Sequence, residues 1–435
     1  MSAVPSGWKV ERLKDVARVN ANALPAGTDA DYEFDYLEIS NVNYNGVVST
    51  DAIEHLRFEN APSRARRRVA SGSTVISSVR PNLQAVAFFA SAPKHLICST
   101  GFNVVEPQSN KLAPQFTYYH LLSENARQYF EAAATGVGYP AIGDKDFNAF
   151  TVTLPPLPEQ QRIATYLDAS CAAIDAAVSA KRRQLDTLEA LRKSIIQRAV
   201  TRGIAADAAL EPTGNVWLVQ VPLGWKLVAL KRIAEIRGGL TLGKQYEGEL
   251  VERPYLRVGN VQDGHLDLAD VSVIELPASV AAGVELRPND VLMTEGGDLD
   301  KLGRGHLWRG EIPGCLHQNH IFAVRCFAHK LKPMFLAYAT AAQYGRDYFE
   351  ATGKKTTNLA NTNATKVGQF PIPLPPLAEQ EAICAHLDEK TAEVNRITAT
   401  ITAQIDTLIA YRKSLIHECV TGQRRVTEVD VAAIA

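Results

Sequence analysis

Residues Leu154 to Gly203 read LPPLPEQQRIATYLDASCAAIDAAVSAKRRQLDTLEALRKSIIQRAVTRG, and Leu374 to Gln423 read LPPLAEQEAICAHLDEKTAEVNRITATITAQIDTLIAYRKSLIHECVTGQ. The two stretches match at an offset of 220 residues without a gap. Leu154-Pro155-Pro156-Leu157 matches Leu374-Pro375-Pro376-Leu377, Glu159-Gln160 matches Glu379-Gln380, and Arg192-Lys193-Ser194 matches Arg412-Lys413-Ser414. Pro158 suits a first helical turn, where its missing N–H costs nothing, and Glu159 suits the positive end of the helix dipole. Apolar residues then recur at four-then-three spacing. The first seam runs through Leu167, Ile174, Val178, Leu185, Leu188 and Ile195; the second runs through Val394, Ile401, Ile405, Leu408 and Leu415. This is a heptad pattern, broken in both copies by an arginine at one register, Arg192 and Arg412. Gly203 and Gly422 stand where C-terminal caps belong. About 44 residues at 1.5 Å each make a rod of about 66 Å. The natural partner of each seam is the other copy, as an antiparallel pair with a domain at each end.

The duplication reaches beyond the helices. Residues 4–17 read VPSGWKVERLKDVA and residues 221–234 read VPLGWKLVALKRIA. In both, a Pro-x-Gly turn precedes a tryptophan suited to anchoring the chain in a core. Tyr36 to Val42 alternates like a strand and aligns with Tyr255 to Val261. Gly72–Ser77 and Asn289–Thr294 read as turn-then-strand pairs, Gly101–Val105 and Ile321–Val324 as strands, and Pro114–Glu131 and Pro333–Glu350 as helices. The expected fold is α/β (α+β): two similar globular domains, 1–153 and 204–373, separated by two long antiparallel coiled-coil helices, 154–203 and 374–423, in an internal pseudo-two-fold repeat, with a tail at 424–435.

Composition excludes little but usefully. Of 435 residues, 46% are hydrophobic and 21% charged, as in an ordinary globular protein, and the net charge of −1 argues against a uniformly basic nucleic-acid coat. Six scattered cysteines with no Cys-x-x-Cys pair suggest reduced thiols. The absence of an apolar leader and of any long apolar run leads us to expect a cytoplasmic protein with no membrane partner.

With the twice-written Leu-Pro-Pro-Leu-x-Glu-Gln, the Arg-Lys-Ser near each helix end and the paired Gly-Trp-Lys openings, the chain resembles the specificity subunit of a type I restriction-modification enzyme. The resemblance spans nearly the whole chain. It implies that each globular part is a target recognition domain reading one half of a bipartite double-stranded DNA site. It also implies that the helices dock two methyltransferase (modification) subunits, with restriction/translocase subunits joining for cleavage. No cofactor is expected in this chain; S-adenosylmethionine is expected in the methyltransferase partner. The Pro-Pro pairs here are flanked by leucines, not by the polar and aromatic neighbours an amino-methyltransferase uses, so no catalysis is expected of the chain alone.

The loops that differ between halves are the candidates for DNA contact: Arg80, Asn82, Tyr139 and Lys145 in the first, and Lys301, Arg304, Gln318, Asn319, Lys354, Lys355 and Asn358 in the second. Arg and Lys suit guanine edges or phosphates, and Asn and Gln suit adenine edges. Arg64 to Arg68 is the densest basic run, equally suited to phosphate or to solvent. Two patterns are set aside. Gly238 to Lys244 resembles a phosphate loop but is followed by Gln245, which lacks the hydroxyl a magnesium ion needs, and the preceding Leu230–Ile236 reads as helix. Cys315, His317 and His320 cluster without an evident fourth ligand. The rival to a DNA reader is a coiled-coil scaffold that binds proteins only.

Overall fold

A computed structural model describes residues 4–434 apart from 44–45, 263, 298–301 and 356–359, and apart from the side chain of Lys355. The chain forms two compact units: Met1–Arg182 with Thr402–Ala435, and Arg183–Ile401. Each therefore holds one globular domain, the first part of one long helix and the last part of the other. The helices run Leu157–Arg202 and Leu377–Thr421. No helix among the described residues is long and apolar enough to cross a membrane.

In the first unit, Lys9–Arg12 pairs antiparallel with Thr151–Leu154 immediately before the long helix. An antiparallel sheet orders Ala17–Val19, Phe102–Pro107, Ser73–Ser77 and Val86–Phe89. A second sheet orders Glu54–Arg57, Glu33–Leu37, Leu96–Ser99 and Ala65–Arg68, with its central pair parallel. The second unit repeats this plan. Lys226–Ala229 pairs with Pro371–Leu374. One sheet orders Ala234–Arg237, Ile321–Cys326, Asp290–Thr294 and Gly305–Leu307, and another orders Ser272–Leu276, Val251–Leu256 and Leu316–His317, again with one parallel pair. Ser73–Ser77 and Asp290–Thr294 are buried at every residue, as central strands should be.

Two sequence expectations need correction. Tyr36–Val42 and Tyr255–Val261 are not strands throughout; the strands end at Leu37 and Leu256, and single 3-10 turns follow at Ile39–Asn41 and Val258–Asn260. The cause is a buried asparagine in each. Asn41 accepts from the Glu38 N–H at 2.6 Å and donates to the Ala52 carbonyl at 2.9 Å. Asn260 likewise accepts from the Arg257 N–H at 2.7 Å and donates to Asp267 and Asp270 carbonyls. Such side chains offer the backbone an alternative to the sheet ladder. The expected helices Pro114–Glu131 and Pro333–Glu350 are each two helices, broken at Leu122–Ser123 and at Ala342. Ser123 caps the second piece by accepting from the Ala126 N–H.

Within each unit the helix segments pack antiparallel. In the first, Lys181 donates to Gln404 at 2.6 Å and Asp175 pairs with Arg412 at 3.2 Å, so rising numbers in one helix meet falling numbers in the other. Leu167 and Leu387 are fully buried, Ile174, Val178, Val394, Ile401, Ile405 and Leu415 are buried, and Leu185, Leu188, Ile195 and Leu408 are half-buried. Full burial of one such side chain contributes about 1.5–3 kcal/mol.

The start of each helix is tied to its own domain by the glutamine of the repeated motif. Gln160 donates to the Lys111 and Pro155 carbonyls and accepts from the Ala113 N–H. Gln380 donates to the Lys330 and Pro375 carbonyls and accepts from the Lys332 N–H. Two turns on, Asp168 accepts from Tyr119 at 2.6 Å and Asp388 from Tyr338 at 2.6 Å. At the other helix ends the capping glycines adopt φ of 72° (Gly203) and 77° (Gly422) and press on the buried tryptophans, Trp225 and Trp8 respectively. We expect Gln380→Leu to lower stability by about 2–4 kcal/mol, because it takes the partner from three main-chain groups, one buried and two part-buried; exposed Gln161→Leu serves as the control, and denaturant unfolding reads both.

His120 has no counterpart, since Ala339 stands in its place. Its Nε2 accepts from the Thr153 N–H at 3.0 Å, and burial, with His417 adding repulsion, pushes its pKa down to about 4. The native state thus binds fewer protons than the unfolded chain between about pH 6.5 and 4. This contribution is complete above about 6.5 and is lost as pH falls towards 4, amounting to roughly 3 kcal/mol. His120→Gln should flatten that part of the stability–pH curve, as read by unfolding at a series of pH values.

Candidate nucleic-acid interface

The first domain brings two distant loops together. Val79 and Thr135 both bridge to Ala141. Arg80 and Gln84 flank the turn Pro81–Leu83 in the left-handed region, with φ of 49° and 51°. Such a backbone costs about 1–3 kcal/mol per residue and persists only where the surroundings impose it. Here the Arg80 N–H donates to the Pro140 carbonyl at 2.7 Å. Its guanidinium donates to the Gly138 carbonyl at 3.2 Å and lies 4.5 Å from the centre of the Tyr139 ring. Arg80, Asn82 and Tyr139 therefore belong to one exposed surface. Lys145 is also exposed, on the short helix Asp144–Ala149 that follows this loop. Val137, at the tip, is fully exposed and Tyr139 is 72% exposed. Val137, an apolar residue set between Gly136 and Gly138, lies on the same exposed loop without having been among the candidates.

The corresponding loops of the second domain also meet. Gly296–Gly297 pairs with Ala360–Asn361, which pairs in turn with Lys354–Lys355. Lys354 is exposed and Arg304 half-buried. Gln318 and Asn319 are half-buried beside Leu240, whose carbonyl accepts from the Asn319 N–H. Lys301 and Asn358 lie outside the described residues, as does the Lys355 side chain. Exposed His320 pairs with Glu295 at 2.8 Å, and the Glu295 carbonyl accepts from the Thr362 N–H. His320 and Asn361 thus join this surface without having been singled out for it.

The basic run is taken up by its own fold. Ala65–Arg68 is a strand. Arg64 pairs with Glu38, Arg66 lies 4.7 Å from the Phe58 ring centre, and Arg68 lies 5.8 Å from that of Tyr32. Arg67 reaches inward to the Phe102 carbonyl and to Asn103 at 3.0 Å, and burial lowers its pKa. Cys315, His317 and His320 diverge: His317 meets the Val284 carbonyl, His320 meets Glu295, and Cys315 meets the Leu316 carbonyl. The segment before Gly238 corrects the sequence reading, since Ala234–Arg237 is a strand, not helix. No helix follows the glycines, so the donor cluster of a phosphate loop is not formed there.

Two copies of one frame, carrying different loops at matching places, define a two-domain protein whose halves differ in what they present. Comparison with known proteins gives the class a family. The family model described as Type I restriction modification DNA specificity domain matches residues 5–185 and again 222–407. The chain belongs to this family. It is 22% identical to the putative type I restriction enzyme MjaX specificity subunit of Methanocaldococcus jannaschii, over 97% of this chain and 95% of that one. It is 23% identical to the type I restriction enzyme EcoKI specificity subunit of Escherichia coli K12, over 77% and 71%. Among solved structures, a chain from work on complex assembly and conformational transition of the type I R-M system shares the fold at a TM-score of 0.75, with 22% identity and coverage of 98% and 100%. The HsdS subunit from Thermoanaerobacter tengcongensis gives 0.54, with 22% identity and coverage of 97% and 98%.

The basic residues divide into structural and presented ones, and the division is measurable. Arg67→Ala should cost about 2–4 kcal/mol by taking this donor from the Phe102 carbonyl and emptying the space beside Asn103, which keeps only Asn20 as a donor among the described residues. Arg80→Ala should cost under about 1 kcal/mol, the scale of an exposed cation–π contact. Denaturant unfolding of the two variants reads the contrast.

Proposed function

We propose that this chain is the DNA-reading subunit of a type I restriction-modification enzyme and that each globular domain reads one half of a bipartite site. The observation that carries this reading is the contrast between what repeats and what does not. The sheets, the Gln160 and Gln380 anchors, the Tyr–Asp pairs and the buried asparagines recur, whereas the loops 78–84 and 135–141 differ from 295–304 and 352–361. A module reads only the few base pairs its side chains can reach, so two different readers lengthen the sequence recognised. Asn82 has the donor–acceptor pair suited to an adenine edge. Tyr139 and Val137 offer apolar surface to a thymine methyl or a base step.

Chemistry falls to partners in this reading. The chain recognises, and methyltransferase subunits bearing S-adenosylmethionine flip and modify a base in each half-site. Two such subunits suit a duplicated chain, with restriction/translocase subunits joining the assembly in the cytoplasm. The exposed faces of the helices offer docking surface to those subunits.

Exchanging loops 78–84 and 135–141 for those of another member of the family should change one half of the methylated sequence and leave the other half intact, as read by mapping methylated positions in cells. An unaltered sequence would overturn the reading. Duplex affinity should also fall steeply with salt, as phosphate contacts require. Salt-independent association would favour a scaffold that binds proteins.

A further inference from the structure

Both copies keep one backbone crossing beside their loops, and only the second arms it with a histidine and a carboxylate. In the first unit Ser77 pairs with Phe102 at the end of two central strands. The Ser78 N–H then donates to the Gly101 carbonyl at 2.8 Å, and the Ser78 carbonyl accepts from the Ile142 N–H at 2.9 Å. In the second unit Thr294 pairs with Ile321. The Glu295 N–H donates to the His320 carbonyl at 2.9 Å, and the Glu295 carbonyl accepts from the Thr362 N–H at 2.8 Å. The shared register equates Ser78 with Glu295 and Gly101 with His320.

The side chains at these equated places differ in kind. Ser78 turns its hydroxyl back to the Gly101 carbonyl at 2.9 Å. A side-chain carbon added at Gly101 would collide with Ile39 Cδ1, so the first copy has no room for one. In the second copy the matching turn starts with Val258, which lacks that terminal carbon. The His320 side chain is 53% exposed, and its Nδ1 lies 2.8 Å from Glu295 Oε2. A carboxylate can only accept, so Nδ1 carries the hydrogen, and Nε2 is left without a partner among the described residues. An exposed pair of this kind adds little stability, so the frame does not require it. Glu295 also runs directly into Gly296–Gly297, which pairs with Ala360–Asn361 and through it with Lys354–Lys355. Exposed Lys354 suits phosphate; a carboxylate in the same surface does not, because phosphate repels it.

We infer that His320, oriented by Glu295, reads one base of the second half-site through that base's exocyclic amino group. A neutral ring whose Nδ1–H is engaged presents Nε2 as an acceptor, and the carboxylate beside it adds acceptors only. In the major groove adenine N6 and cytosine N4 donate, whereas guanine N7 and O6 and thymine O4 accept. Acceptors set against acceptors repel, so the pair selects for an amino group at its place. His320 makes the contact and Glu295 is the positioning residue.

This role rests on the DNA-reading function, and the two are tested apart. The full chain is assembled with methyltransferase subunits, and its half-sites are mapped from methylated positions in cells. His320→Ala should relax a single position, lowering a preference of about fivefold or more to under about twofold. That position should fall in the half-site that exchange of loops 78–84 and 135–141 leaves intact, and the other half-site should not change. Glu295→Gln, which releases the ring, should relax the same position. The amino group of that base pair is then deleted in a synthetic duplex (purine for adenine, pyrimidin-2-one for cytosine). Deletion should weaken binding by the native assembly about fivefold more than binding by the His320→Ala assembly. Equal weakening of both assemblies would overturn the role. So would a uniform loss of affinity on every sequence with the salt slope lowered by about one, the mark of a phosphate contact. A native assembly that methylates no bipartite sequence would sink the DNA-reading function itself. A bipartite sequence that neither variant alters would exclude this role alone.

Discussion

Everything in this fold depends on fixing a long helix to a domain at the helix's first turn. A helix start leaves main-chain donors without intrahelical partners, and the loop packed over it carries donors and acceptors of its own. Gln160 and Gln380, 1% and 0% exposed, meet the loop's share of that need by bonding three main-chain groups each outside the helix. A glutamine can do this because its amide both donates and accepts and carries no charge to desolvate. The prolines ahead of it stiffen the approach, and the Tyr119–Asp168 and Tyr338–Asp388 bonds fix the helix two turns later. A helix held at two points along one face has its rotation set, so the seam of leucines and isoleucines faces inward.

That constraint explains how the two domains can differ. With helix direction set by the glutamine, tyrosine and aspartate, and with the tryptophans closing on the capping glycines, loops remote from these contacts are free of structural duty. Arg80 and Gln84 show what such a loop can carry. Their left-handed backbones would be costly in a mobile segment, where the chain would relax. They persist because Val79, Arg80 and Ala141 are hydrogen-bonded across to the neighbouring loop. A reading surface held this way loses little entropy when it meets its target, and that favours binding more than an extra contact on a floppy loop would.

Much of this was legible in the chain. The offset repeat gave the duplication, and the four-then-three spacing gave the helices, because both are period signals that survive any tertiary context. What was not legible depended on single side chains overriding a local pattern. Tyr36–Val42 alternates like a strand, yet the Asn41 amide turns the chain before the alternation is complete. Pro114–Glu131 reads as one helix, yet Ser123 starts a second by capping it. Arg64–Arg68 suits phosphate or solvent equally well by its charge, but the period of two along a strand sends Arg67 inward to Asn103. Its neighbours Arg66 and Arg68 lie over aromatic rings. Charge density alone cannot separate arginines that hold a fold from arginines that face a ligand.

The duplication itself supplies the missing comparison. Each position of one copy is a control for the other, made on the same frame and packed by the same helices. Where both copies keep a residue, as with Arg192 and Arg412, the frame itself can account for it. Where its surroundings change in a single direction, framing is no longer enough. Losing Asp175 alone would leave the arginine beside an amide; losing Tyr118 alone would leave a void. In the second copy both have gone, and Asn395 and Ala337 stand in their places. Where only one copy changes, the shared frame is not the cause, and the reason must lie in what that copy alone has to do.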